Sequence, residues 1–137
     1  AKATFFHLKR GELTLETLTE LNTEDKTSLL PLDVLILGMG EDGHTASIFP
    51  CCAQLDEALT TSKDIMATEP TTAPHQRMTF TKSALLNSKQ LYLHLVGESK
   101  ETVLLDVAAG SDEKQAPIRA FLNQSVVPMS VMLATTK

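Results

Sequence analysis

Leu32-Asp33-Val34-Leu35-Ile36-Leu37-Gly38-Met39-Gly40-Glu41-Asp42-Gly43-His44-Thr45-Ala46-Ser47-Ile48-Phe49-Pro50 is the stretch whose reading decides the fold. Its first part is an apolar run ending abruptly at glycine, the pattern of a buried parallel strand. Glycines then let the backbone turn sharply and approach a ligand closely. Asp42 and His44 follow two residues apart, at the carboxyl end of the strand, where open α/β sheets bind ligands. Histidine moves protons near neutral pH. A glycine-walled loop presenting a carboxylate and an imidazole is a candidate active site.

Gly38, Gly40 and Gly43 also satisfy the dinucleotide fingerprint G-x-G-x-x-G. That fingerprint needs a helix continuing from the third glycine and an acid closing the next strand. Pro50 stands seven residues after Gly43, and proline breaks a helix interior. Asp64 opens the next apolar run instead of closing it. A nicotinamide cofactor is not expected, nor any other cofactor.

Outward from the loop, strands and helices alternate. Strands are expected over Thr4–Leu8, Leu32–Leu37, Asp64–Thr68, Arg77–Thr81, Gln90–Val96 and Met129–Ala134. A helical apolar stripe, read as core, runs through Leu13, Leu15, Leu18, Leu21 and Leu29-Leu30, with Thr14 as N-cap. Gln54–Leu59 and Pro117–Asn123 suit short helices, and Glu98–Ala109 a longer one capped by Gly110. Glu69–Pro74, with two prolines and two threonines, reads as a loop. The alternation predicts an α/β fold: a mainly parallel open sheet with helices on both faces.

The chain has 137 residues, 42% of them hydrophobic, and a net charge of −5. That length suits one domain, residues 1–137. No basic stripe stands out, so nucleic-acid binding is not expected. No run approaches the length of a membrane span. Adjacent Cys51 and Cys52 suit neither a disulfide framework nor a zinc spacing, and a reduced, cytoplasmic setting is the simplest reading. No ligand cluster for a metal is evident.

The loop resembles the signature of the 6-phosphogluconolactonases, G-x-G-x-D-G-H-T-A-S-[LI]-F-P, over Gly38–Pro50. Arg77-Met78-Thr79-Phe80-Thr81, Ala84-Leu85-Leu86-Asn87, Val96-Gly97-Glu98-Ser99-Lys100, Pro117-Ile118 and the strand near Val131 resemble later segments of that family, in order. The resemblance implies a Rossmann-like fold of the sugar-phosphate isomerase/lactonase type. It also implies hydrolysis of 6-phospho-D-glucono-1,5-lactone, a small-molecule substrate, by a protein monomeric in its full-length form. Family members carry an earlier segment with a Gly-Gly-Ser-Thr-Pro-like loop and an Asp-Glu-Arg motif. Neither is present here, so the chain is expected to be an N-terminally truncated, C-terminal portion of a longer lactonase.

The resemblance makes His44 the general base that activates water. Asp42 either orients His44 or contacts the sugar; turn chemistry explains it equally well. Gly38, Gly40 and Gly43 are expected to give close backbone approach and amide donors to substrate oxygens. Arg77 and Lys100 are the phosphate candidates. A lysine in the first turn of a helix opposes the helix dipole, and a bound phosphate would remove that penalty. The resemblance leaves two rivals. One is a glucosamine-6-phosphate deaminase, whose loop typically reads D-G-H-I-A-F-N-E-P. Its glutamate corresponds to Phe49, which cannot exchange a proton. The other is a non-catalytic sugar-phosphate-binding fragment.

Overall fold

The structure, a computed structural model, describes residues 2–8, 11–26, 29–72 and 75–135. Its elements in order are α1 (Leu15–Thr23), β1 (Leu35–Leu37), α2 (Leu55–Thr60), β2 (Ile65–Thr68), β3 (Arg77–Phe80), α3 (Lys82–Leu85), β4 (Leu91–Val96), α4 (Glu98–Ala108), α5 (Arg119–Leu122) and β5 (Met129–Ala134). A three-stranded parallel sheet, ordered β1-β4-β5, carries the fold, and helices flank it. β2 and β3 form a separate antiparallel pair, joining Ile65 to Phe80 and Thr68 to Arg77.

Alternation along β4 explains the core. Leu91, Leu93 and Leu95 point to one face and are buried with Leu37, Ile48, Leu85, Val107, Ile118 and Phe121. The register puts Ile36, His94, Val96 and Met132 on the opposite face, where Ile36 is 68% exposed. Burying a leucine of this kind stabilises by roughly 1.5–3 kcal/mol, so the leucine face of β4 anchors the sheet.

Parallel pairing has one consequence for the site. β1 and β4 run in register from Leu35–Leu91 to Leu37–Leu93, so their carboxyl ends share one edge. The glycine loop leaves β1 there, and α4 leaves β4 beside it.

Local chemistry accounts for the ends of α1. Thr14 accepts from the Thr17 amide at 3.2 Å, and the Thr17 hydroxyl accepts from the Thr14 amide at 3.0 Å. Asn22 then treats the edge of β2 as a partner strand: its amide nitrogen donates to the Ile65 carbonyl and its oxygen accepts from the Ile65 amide, both at 2.9 Å.

Two expectations need correction. Thr4–Leu8 lies outside the helices and strands, and Phe5 is 77% exposed. The Leu13–Leu30 stripe is not core. Only Leu21 of its leucines is buried and Leu15 is 82% exposed, because α1 ends at Thr23 and packs chiefly on β2. Residues 27–28 of that stripe, and 73–74 of the expected Glu69–Pro74 loop, lie outside the described residues.

Candidate active site

The loop after β1 closes on itself. The Gly40 amide donates to the His44 carbonyl at 2.9 Å, and the Gly43 amide to the Gly40 carbonyl at 3.0 Å. Thr45, almost fully buried, donates its hydroxyl to the Gly38 carbonyl at 2.7 Å. The amides of Gly40 and Gly43 are thus engaged within the loop, and these glycines shape it by steric means. A Cβ on Gly40 would stand 2.1 Å from two ring atoms of His44. Gly43 adopts φ +79, and its Cβ would stand 2.8 Å from that of Ala116. No helix follows Gly43; the next begins at Leu55. The dinucleotide reading therefore has no helix to receive a pyrophosphate.

Neighbouring elements hold the loop from behind. Thr79 of β3 accepts from the Ser47 amide at 3.2 Å, and Thr68 of β2 donates to the Ser47 carbonyl at 2.8 Å. The Ile118 amide, just before α5, donates to the Gly43 carbonyl at 2.9 Å. Ala46 takes a positive φ of 50, a conformation that costs a residue with a Cβ about 1–2 kcal/mol. The surrounding clamps hold that local strain in place.

Asp42 and His44 come together. Asp42 Oδ1 lies 2.5 Å from His44 Nδ1 and accepts from the His44 amide at 3.1 Å. Partial burial pushes the Asp42 carboxyl up. The backbone hydrogen bond, the ring hydrogen bond and the charge attraction of His44 outweigh it, and the carboxyl sits below the ordinary aspartate value. An ionised Asp42 holds a proton on Nδ1 and leaves Nε2 to accept one. His44 lines a cavity of about 320 Å³ together with Gly38, Met39, Gly40, Thr45 and Ala46.

Lys100 and Arg77 approach this loop from two sides. Lys100 donates from Nζ to the Met39 carbonyl at 2.8 Å and lies 3.7 Å from the Glu41 carboxylate. Arg77, at the start of β3, places its guanidinium 5.5 Å from the centre of the Phe49 ring. Its Nε is buried without a hydrogen-bond partner, and it lines a neighbouring cavity of about 730 Å³ with Ser47, His75, Gln76 and Glu12. Phe49 in turn stacks on His44, ring centres 4.1 Å apart and planes 22° from parallel. Asp42, His44, Lys100 and the three glycines thus share one sheet edge, and Arg77 joins them through Phe49.

Sequence reasoning missed Phe49 as a contact of His44. It also missed Arg119, which is buried and donates to the Val107 carbonyl at 2.9 Å, closing the end of α4. Gly110 serves this contact, since a Cβ there would stand 2.3 Å from the guanidinium. Among the described residues no three His, Cys, Asp or Glu side chains group as a metal site requires, and no helix is long and apolar enough to cross a membrane.

The chain as a whole has relatives among known proteins. The family described as "Glucosamine-6-phosphate isomerases/6-phosphogluconolactonase" matches residues 4–129. A 6-phosphogluconolactonase of Rhizobium meliloti (strain 1021) is 40% identical over 98% of this chain and 59% of its own length. One from Pseudomonas aeruginosa is 41% identical over 89% of this chain and 52% of its own. The crystal structure of a 6-phosphogluconolactonase from Shewanella baltica OS155 superposes with a TM-score of 0.78 at 48% identity, covering 87% of this chain and 49% of that one. The chain therefore spans about half the length of the relatives it matches.

Proposed function

The chain belongs to the glucosamine-6-phosphate isomerase/6-phosphogluconolactonase family, and from that premise we propose that it carries the hydrolytic site for 6-phospho-D-glucono-1,5-lactone, yielding 6-phosphogluconate. The observation that carries this reading is the Asp42–His44 pair, 2.5 Å apart at the carboxyl edge of a parallel sheet and beside an open cavity.

A 1,5-lactone is an internal ester. Water attacks its carbonyl carbon while His44 Nε2 takes the departing proton. The imidazolium so formed is stabilised by the Asp42 carboxylate on Nδ1. The tetrahedral intermediate collapses with cleavage of the ring C–O bond, and the imidazolium returns its proton to the leaving oxygen. His44 ends neutral, ready for the next cycle.

Arg77 and Lys100 are the phosphate anchors of this reading. Arg77 Nε is buried without a hydrogen-bond partner, and an anion is one group that can satisfy such a donor. Lys100 commits one donor to the Met39 carbonyl and has others to offer. The reading extends to a monomeric, cytoplasmic enzyme.

Phe49 favours hydrolysis over deamination. The ring packed against His44 is a phenyl group with no proton to exchange, where the deaminase loop has glutamate. The test presents the protein in turn with 6-phospho-D-glucono-1,5-lactone and glucosamine 6-phosphate, following acid release from one and ammonia from the other. Acid release above the spontaneous rate, with no ammonia, is expected. Ammonia release would transfer the chain to the deaminase class, and neither product would favour the non-catalytic fragment.

A further inference from the structure

Phe49 is 4% exposed and has no chemistry of its own, yet it touches both halves of the site. Its ring lies nearly parallel to the His44 imidazole, 4.1 Å away centre to centre. The Arg77 guanidinium stands 5.5 Å from the same ring. Asp42 fixes only the Nδ1 edge of the imidazole, and one hydrogen bond leaves the ring free to tilt about it. Gly40 supplies a surface with no side chain against the ring atoms. A flat apolar partner at stacking distance removes the remaining tilt.

We infer that Phe49 is a positioning residue: it sets the plane of the His44 imidazole and seats the Arg77 guanidinium, so that one buried ring spaces the base from the anion-binding cation. This rests on the hydrolytic reading above and adds to it a residue that touches no reacting atom. Phe49 is held for the task. It follows the Thr45–Ile48 bridge, and Ser47, two residues before it, is fastened to Thr68 and Thr79 of the β2–β3 pair. Arg77 belongs to that same pair, so the ring joins the hairpin to the loop.

The test compares Phe49→Leu, which keeps the apolar volume and loses the ring, with Phe49→Tyr, which keeps the ring. Phe49→Met, also without a ring, stands in if the leucine variant does not fold. The ring-less variant should lower kcat by ~10- to 100-fold, equally on phosphorylated and unphosphorylated lactone, as misplacing a catalytic group does. KM should rise for the phosphorylated lactone alone, because only that substrate uses Arg77. The tyrosine variant should recover most of the lost kcat. Wild-type kcat in a folded ring-less variant would overturn the assignment. Proton NMR separates this from the hydrolytic reading. The His44 ring protons of the unmodified protein should be shifted by the Phe49 ring current, and the shift should vanish in the ring-less variant. An unshifted His44 in the wild type would overturn the positioning role even with lactonase activity intact; a shifted His44 in an inactive protein would sustain the positioning and end the hydrolytic reading.

Discussion

Lys100 Nζ donates to the Met39 carbonyl across 2.8 Å, tying the helix after one parallel strand to the loop after its neighbour. The contact exists because β1 and β4 end on one edge. It places a cation at the mouth of the His44 loop and relieves the Met39 carbonyl of its need for water.

The two proposed phosphate anchors should be separable by kinetics. Arg77→Ala should weaken binding of the phosphorylated lactone by about 1.5–3 kcal/mol, the value of a charge-assisted hydrogen bond, and leave an unphosphorylated lactone nearly unaffected. Lys100→Ala should weaken phosphate binding similarly. It should also slow turnover on both substrates, since it releases the Met39 carbonyl. Steady-state KM and kcat on the two substrates give the answer, and equal losses in Arg77→Ala would remove its phosphate role.

Gly40 and Gly43 should fail in different ways. Gly40→Ala places a methyl group 2.1 Å from His44 ring atoms, so the imidazole must leave its position and turnover should collapse in a folded protein. Gly43→Ala meets both the Ala116 side chain and a positive φ. It should cost about 1–2 kcal/mol from backbone strain alone, with more from the clash. Denaturant melts paired with rate measurements separate the two.

Asp42 should make stability sensitive to acid. Its folded pKa lies below the ordinary aspartate value, so its contribution is complete at neutral pH. The contribution is lost as pH falls below about 3.9 and through the lower folded value, where the carboxyl takes a proton. Asp42→Asn should therefore flatten the pH dependence of Tm over that acid range. It should also lower turnover by about 10²-fold or more, since the tautomer of His44 is no longer enforced.

Cys51 should react as a mildly acidic thiol. Hydrogen bonds from the Thr71 and Thr72 hydroxyls lower its pKa to about 7. Only the thiolate is alkylated, so the iodoacetamide rate at Cys51 should reach half its plateau near that pH. Thr71→Val with Thr72→Val should move the midpoint up toward the ordinary thiol value of about 8.5. An unchanged midpoint would deny the hydroxyls that effect.

The sequence made the sheet edge legible because apolar runs ending in glycine report strands directly. The Leu32–Leu37 run contains β1, although regular pairing starts only at Leu35 and Leu32 makes an isolated bridge to Ser88. The two-residue spacing put Asp42 within reach of His44 but left orienting the ring, contacting the sugar and turn chemistry equally open; the hydrogen bond between the two side chains is read from the structure. The Phe49–His44 stack was not, because five residues of irregular loop have no period to read. Thr4–Leu8 misleads because strand propensity is context-dependent and does not by itself make a strand. Leu15 misled likewise: a helical stripe is core only where another layer covers it.

The most direct test of the account is the rate of 6-phospho-D-glucono-1,5-lactone hydrolysis by the protein and by His44→Ala, with folding of both checked by circular dichroism. The rate should exceed the spontaneous one and fall by about 10²-fold or more in the variant, as loss of a general base requires. Equal rates in the two folded proteins would contradict it.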